Sequence, residues 1–251
     1  VITNIGEAHM QDLGSRAGIA KAKFEIVDGL LPGGKLFYDG DEPLLAELVA
    51  SASRDDIEYV SFGFDGAHAQ TASNITTVDN GSQFEASGVV NGEYFISVLG
   101  KHQVKNTLST MLIANHLRLT DEQIRASLAQ VVLTDMRMQL INTPHTLFIN
   151  DAYNAAPTSM KAAIDFMKTT TLRDEKWLVL GDMLELGDDE LAFHASIAES
   201  IEADKVAGVC LYGPRMKALY DALMPTFGER VLHSEDVAPM IERIREKKKK
   251  N

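Results

Sequence analysis

The chain has almost no thiol chemistry, holding one cysteine among 251 residues, together with a single tryptophan. Cys210 alone excludes an intrachain disulfide and a thiolate zinc cluster, and it fits a reducing compartment, the cytoplasm. No apolar run approaches the roughly 18 residues of a membrane span, so no membrane insertion is expected. No charged segment followed by an apolar one reads as a signal peptide. Positive charge is also scarce: 24 Lys and Arg stand against 36 Asp and Glu, a formal net charge of −12. That balance argues against nucleic-acid binding, which depends on neutralising phosphates. Neither a G-x-x-x-x-G-K-[ST] loop nor a G-x-G-x-x-G fingerprint occurs, so any phosphate cradle must come from sequence outside these residues. The first residue is Val1 rather than Met and lies inside a motif. The chain is therefore read as a piece of a longer protein, expected to be inactive on its own.

What is present is the composition of a soluble globular protein, 45% hydrophobic and 24% charged, long enough for two domains. Residues 16–31 carry apolar side chains at helical spacing and end at Pro32-Gly33-Gly34. KLFYDG (35–40) reads as a strand, DEPLLAELVASAS (41–53) as a helix with Pro43 in its first turn, and YVSFGFD (59–65) as a strand. Residues 69–99 alternate and are punctuated by Asn-Gly at 80–81 and 91–92, which predicts a small antiparallel insert with positive-φ turns. Two helices follow, the second opened by Thr120 with Gln123 three residues on. Beyond residue 142, four strand–helix units in succession predict a parallel, doubly wound sheet. The fold class is thus α/β, with domains at 1–142 and 143–251. The terminal lysines 247–250 read as a solvated helix end.

Several residues could carry chemistry. His9, in NIGEAHM, is either a metal ligand or a loop histidine making one hydrogen bond. Lys23 falls by helical count on the apolar face with Ile19, Ile26 and Val27. A lysine buried there must pair, lose its proton or be modified; otherwise its stem snorkels and the ammonium stays in water. His102 and Asn106, in LGKHQVKN, share one helix face. The Asn amide could read an adenine edge or simply cap the helix. Arg137 is a phosphate clamp or a surface arginine. Asp151, Tyr153 and Asn154, in INDAYNAAP, stand at the carboxyl end of a parallel strand, where open α/β sheets bind ligands, or form a helix-capping turn. Asp182 and Glu185 lie in a second such loop, LGDMLELG. Cys210, in VAGVCLYG, reads as inert core.

Taken in order, TNIGEAHMQDLGSRAGIAKAKFEI, GKHQVKN, DMRMQ, INDAYNAAPTSM and LGDMLELG resemble the blocks of the Mur ligases, ATP-dependent amide-forming enzymes of peptidoglycan synthesis. The resemblance implies the carboxyl-terminal part of the central ATPase domain with its small insert, followed by a Rossmann-like ligase domain. It also implies ATP and Mg²⁺ as cofactors. His9 would be a metal ligand, and Lys23 a metal-facing catalytic lysine carrying a carbamate. His102, Asn106, Arg137, Asp151, Tyr153 and Asn154 would face the nucleotide. The member it is most similar to takes UDP-N-acetylmuramoyl-tripeptide and D-alanyl-D-alanine, through an acyl phosphate, as a cytoplasmic monomer. Ala156 and Gln103 depart from the family's usual Asn at their positions, and both bear on the adenine contacts. Two alternatives stay open: a sibling or folylpolyglutamate-type ligase, and a non-catalytic nucleotide-binding domain.

Overall fold

The structure, a computed structural model, describes residues 1–7, 10–78, 80–132 and 134–248, with side chains in the last helix described through residue 246. The chain divides into two compact units, Val1–Gly6 with Leu13–Leu140, and Glu7–Asp12 with Ile141–Asn251.

The first unit is built on a five-stranded sheet in sequence order: β1 (Lys35–Asp39), β2 (Glu58–Gly63), β3 (Gln70–Val78), β4 (Gly81–Gly88) and β5 (Gly92–Ile96). β1, β2 and β3 run parallel, and β3, β4 and β5 run antiparallel. The alternating segment is antiparallel, as expected, and it is continuous with the parallel part of the sheet. It extends the parallel sheet through β3, whose Gln70 and Thr71 pair with Phe62 and Gly63. The two Asn-Gly pairs also differ. Gly92 has φ of 117°, as its turn requires, and Asn91 Oδ1 accepts from the Gly88 N–H at 3.0 Å. Gly81, by contrast, is the first residue of β4, where a Cβ would meet the Ile96 carbonyl oxygen at 2.1 Å, so close strand approach selects glycine there.

Helices cover both faces of this sheet, because neighbouring strand residues point to opposite sides. Leu36 of β1 packs with Ile19 and Ala20 of α2 (Arg16–Phe24) and Leu45 of α3 (Pro43–Ala50). A short α1 (Met10–Leu13) precedes them. Phe37, the next residue, faces Val104, Leu108, Met111 and Leu112 of α4 (Lys101–His116). Fully burying a side chain such as Leu108 contributes about 1.5–3 kcal/mol before entropy is counted. Pro43 opens α3 as expected. So does the reciprocal pair at α5 (Asp121–Leu128), with Gln123 N–H on Thr120 Oγ1 and Thr120 N–H on Gln123 Oε1.

In the second unit, β8 (Trp177–Gly181), β9 (Gly208–Tyr212) and β10 (Val231–Ser234) form a parallel sheet in the order β10-β9-β8. Leu178, Val209 and Val231 share one face with buried residues of α6 (Pro157–Thr169) and α8 (Lys217–Phe227). α7 (Glu190–Ser196) and α9 (Val237–Lys248) complete the pattern. The expected fourth strand, β7 (Leu147–Asn150), instead pairs with β6 (Gln139–Asn142). A tight turn joins them: Thr143 N–H donates to the Thr146 carbonyl and Thr146 N–H to Thr143 Oγ1. Local turn closure thus takes β7 out of the three-stranded sheet. Among the described residues no helix is long and apolar enough to cross a membrane. The lysine side chains of 247–250 lie outside the described residues.

Candidate functional site

Lys23 sits in the last turn of α2, which tightens into a 3₁₀ turn at Glu25–Val27. That change of pitch rotates the apolar face. Ile19, Ala20 and Val27 stay buried, Ile26 is 46% exposed, and Lys23 itself is exposed rather than buried. Of the two readings left open, the exposed one holds rather than the buried one, yet the ammonium does not simply dangle in water. Its Nζ donates to the Asn4 carbonyl at 3.0 Å, and surrounding protein atoms lower its pKa by desolvation. His9, the other member of this constellation, lies outside the described residues. Among the described residues no group of three or more His, Cys, Asp or Glu could hold a metal ion. A divalent cation would need a further oxygen donor beside Lys23. A lowered pKa enlarges the fraction of free amine, the form that can add CO₂, and a carbamate at Lys23 would keep one N–H for Asn4 while presenting two oxygens to a hard cation.

His102 and Asn106 stand one turn apart on α4, whose first residue follows Gly100. Gly100 has φ of 101°, and a Cβ there would lie 2.8 Å from the His102 ring. No side chain caps this helix start, so Asn106, in the second turn, is not a cap. That removes the plainer reading of its amide. Its backbone carbonyl accepts from Ser109 Oγ at 2.7 Å, and its side chain is half-buried.

Beside this pair lies a polar network that sequence inspection missed. Lys105 Nζ reaches Asp41 Oδ2 at 2.7 Å and Asp39 Oδ1 at 3.2 Å, and lies 5.2 Å from the centre of the Phe64 ring. Asp41 also accepts from the Phe64 N–H at 2.8 Å, the Asp65 N–H at 3.1 Å and His68 Nε2 at 3.0 Å. His68 Nδ1 meets Ser61 Oγ at 3.1 Å. Two glycines make room: a Cβ at Gly40 would lie 2.4 Å from His68 Cε1, and one at Gly63 would lie 2.4 Å from Asp41 Oδ1. Burial alone would raise the Asp41 pKa, but Lys105 and the two backbone N–H groups overcome it and hold it at about 2. Asp39 goes the other way, because burial raises its carboxyl more than Lys105 lowers it. Burial would lower Lys105, but its two carboxylates outweigh that and raise it.

Arg137 is exposed, and its neighbours Met136 and Met138 have φ of 62° and 47°. Such left-handed conformations cost about 1–2 kcal/mol each outside glycine, and strained backbone of this kind gathers at functional segments. In the second unit, Asp151, Tyr153 and Asn154 follow β7, with Tyr153 56% exposed and Asp151 half-buried. Asn154 Oδ1 accepts from the Ala155 N–H at 2.9 Å. The helix behind them, α6, is capped from elsewhere: Glu7 Oε2 accepts from the Thr158 N–H at 3.2 Å and from its hydroxyl. Asn150 Oδ1 accepts from the Ala152 N–H at 3.3 Å, and Ser159 Oγ from the Ala156 N–H at 3.1 Å, so this loop also turns on its own side chains.

The LGDMLELG loop is held by two side chains. Asp182 accepts from the N–H groups of Met216 at 2.9 Å and Arg215 at 3.3 Å, so its carboxylate is committed to the approach to α8. His194 is fully buried; Met183 N–H donates to its Nε2 at 2.9 Å, and its Nδ1 donates to the Glu190 carbonyl at 2.6 Å. Glu185 is exposed with φ of 62°. Cys210 is buried, and burial pushes its thiol pKa up, consistent with inert core.

The Mur ligase middle domain matches residues 1–114, and the Mur ligase glutamate ligase domain matches residues 136–251. The UDP-N-acetylmuramoyl-tripeptide–D-alanyl-D-alanine ligase of Bacillus subtilis is 39% identical over 248 residues, covering 98% of this chain and 53% of that protein. A crystal structure of MurF from Acinetobacter baumannii, 25% identical, superposes with a TM-score of 0.86 over 98% of this chain and 52% of that one. MurF from Thermotoga maritima, solved in complex with ADP and 20% identical, shares the fold with a TM-score of 0.82 over 97% of this chain and 55% of that one. The chain thus spans about half the length of the curated relatives it matches. With both domain matches in chain order and the α/β architecture in place, the chain belongs to the Mur ligase family.

Proposed function

We propose that the protein is an ATP-dependent amide ligase that joins D-alanyl-D-alanine to UDP-N-acetylmuramoyl-tripeptide in the cytoplasm, working as a monomer. The observation that carries this reading is 39% identity along 98% of the chain to a ligase so named. The domains are taken as 1–142 and 143–251, with Lys23 and His9 facing the metal in the first. His102, Asn106 and Arg137 face ATP from the first domain, and Asp151, Tyr153 and Asn154 from the second. The placement of Asn106 in the second turn of an uncapped helix supports a ligand-reading role, because the amide has no capping duty there.

In this reading the tripeptide carboxylate takes the γ-phosphoryl group, giving an acyl phosphate and ADP. The amine of D-alanyl-D-alanine attacks the acyl carbon, a proton leaves the nitrogen, and inorganic phosphate departs. Bound Mg²⁺ would offset the negative charge gathered where carboxylate and triphosphate meet. His9 and carbamylated Lys23 are the residues to hold it, and the Lys23–Asn4 contact would fix the carbamate's direction.

The test is ATP-dependent phosphate release by the protein at its natural full length, with UDP-N-acetylmuramoyl-tripeptide as acceptor. Release should depend on D-alanyl-D-alanine and fall at least about tenfold with single amino acids, because a dipeptide-shaped site loses paired polar contacts with a shorter amine. Equal or faster release with a single amino acid or with glutamate would assign a sibling activity instead.

A further inference from the structure

The helix that carries His102 and Asn106 is held to the sheet mainly by Val104, Leu108, Met111 and Leu112. Apolar contacts of this kind are non-directional and tolerate small rotations and slides of a helix. Gly100 supplies no capping side chain at the helix start. Lys105, next to Asn106, makes directional contacts there. Its Nζ bridges the last residue of β1, Asp39, and the following loop at Asp41, which are remote in sequence from α4. Asp41 is itself fixed by Phe64, Asp65 and His68, so the anchor cannot swing with the lysine. The glycines at 40 and 63 that a Cβ would turn into clashes mark this as a built junction rather than a surface ion pair. The junction defines one rotation of the second turn of α4, the turn from which Asn106 projects.

From this we infer that Lys105 is a positioning residue for base recognition: clamped by Asp39 and Asp41, it orients the Asn106 amide toward the adenine edge of the nucleotide. The inference rests on the nucleotide-facing reading of Asn106 and adds the group that makes that amide selective. Inosine triphosphate is a suitable probe, because it differs from ATP in having a carbonyl where adenine has the amino group that an Asn carbonyl would accept from.

The experiment is a double-mutant cycle on the protein at its natural full length, reading the ratio of ATP to inosine triphosphate affinities by calorimetry. The native protein should prefer ATP by about tenfold, the value of one well-made hydrogen bond. Asn106→Ala should remove that preference, and Lys105→Met should reduce it to within about twofold. The double variant should show no further loss, since both changes act through one amide. A merely structural lysine would lower the melting temperature without moving the ratio. If Lys105→Met does not fold, Asp39→Asn serves in its place. It keeps the 2.7 Å contact of Lys105 with Asp41 and should lose about threefold of the preference, again only when Asn106 is present. An unchanged ratio in the Lys105 or Asp39 variant while Asn106→Ala loses it, or additive losses in the double variant, would overturn the inference and leave the nucleotide reading standing. An unchanged ratio in Asn106→Ala, or no nucleotide binding at all, would sink the nucleotide reading itself and the inference with it.

Discussion

Lys23→Ala should cut ligase turnover by about 10²–10³-fold while leaving the fold intact, the scale expected when a fixed electrostatic group at a charge-crowded reaction centre is removed. The side chain is exposed and makes one hydrogen bond, to the Asn4 carbonyl. Its removal should therefore cost no more than about 1 kcal/mol of stability. The combination separates chemistry from folding: a large loss of rate with a nearly unchanged melting temperature. On the proposed carbamate reading, a short carboxylic acid supplied in solution should restore part of the rate by occupying the gap. Near-normal turnover of the variant would remove Lys23 from the mechanism, and full loss without rescue would argue for an ammonium role in place of a carboxylate one.

The second large effect belongs to Asp41. Each of its oxygens accepts from two donors, Oδ1 from Asp65 N–H and His68, and Oδ2 from Phe64 N–H and Lys105. In Asp41→Asn, whichever way the amide turns, its NH₂ must face two of those donors. Leaving the donors of this partly buried, hydrogen-bonded charge pair unsatisfied costs about 1–3 kcal/mol. The loss should depend on pH with a definite sign. Asp41 has a folded pKa of about 2, below its ordinary 3.8, so its contribution is present above the ordinary value and lost as pH falls toward 2. The stability gap between native protein and variant, measured by urea unfolding, should therefore be constant from pH 7 to about 5 and close between about 4 and 2. Asp39, whose pKa is raised, contributes in the opposite sense and softens the acid transition of the native protein. Lys105, raised above its ordinary 10.5, contributes stability below that value and loses it as pH rises through its folded pKa. A gap that stays constant down to pH 2 would show that Asp41 titrates as an ordinary carboxyl.

How much of this was legible in the residues depended on distance along the chain. Local signals held: Pro43 at a helix start, the Thr120–Gln123 reciprocal cap, Asn91-Gly92 at a turn, and Cys210 in an apolar strand. Each reports a backbone need met within a few positions. The period of α2 misled at Lys23, because a uniform helical count cannot anticipate the tightening after Phe24. β7 reads in sequence like the strands that follow it, and only the Thr143–Thr146 turn sends it to β6. The Asp39–Asp41–Lys105–His68 network was invisible for another reason. Its members are separated by up to 66 residues, and each alone looks like an ordinary surface charge. Gly40 and Gly63 were the available hint, since both sit where a strand ends without needing a positive φ. The nucleotide-facing roles proposed for His102, Asn106, Arg137, Asp151, Tyr153 and Asn154 come from family resemblance; the fold adds that Asn106 lies in the second turn of α4 rather than at its cap and that Glu7 accepts from the start of α6.

The central claim is ligation through an acyl phosphate on the tripeptide carboxylate, and isotope transfer tests it most directly. With UDP-N-acetylmuramoyl-tripeptide labelled with ¹⁸O in its terminal carboxylate, ATP and D-alanyl-D-alanine, mass spectrometry of the released phosphate should find one labelled oxygen per turnover. Phosphate released in step with amide formation but carrying no label would contradict the account, because the carboxylate oxygen would never have been bonded to phosphorus.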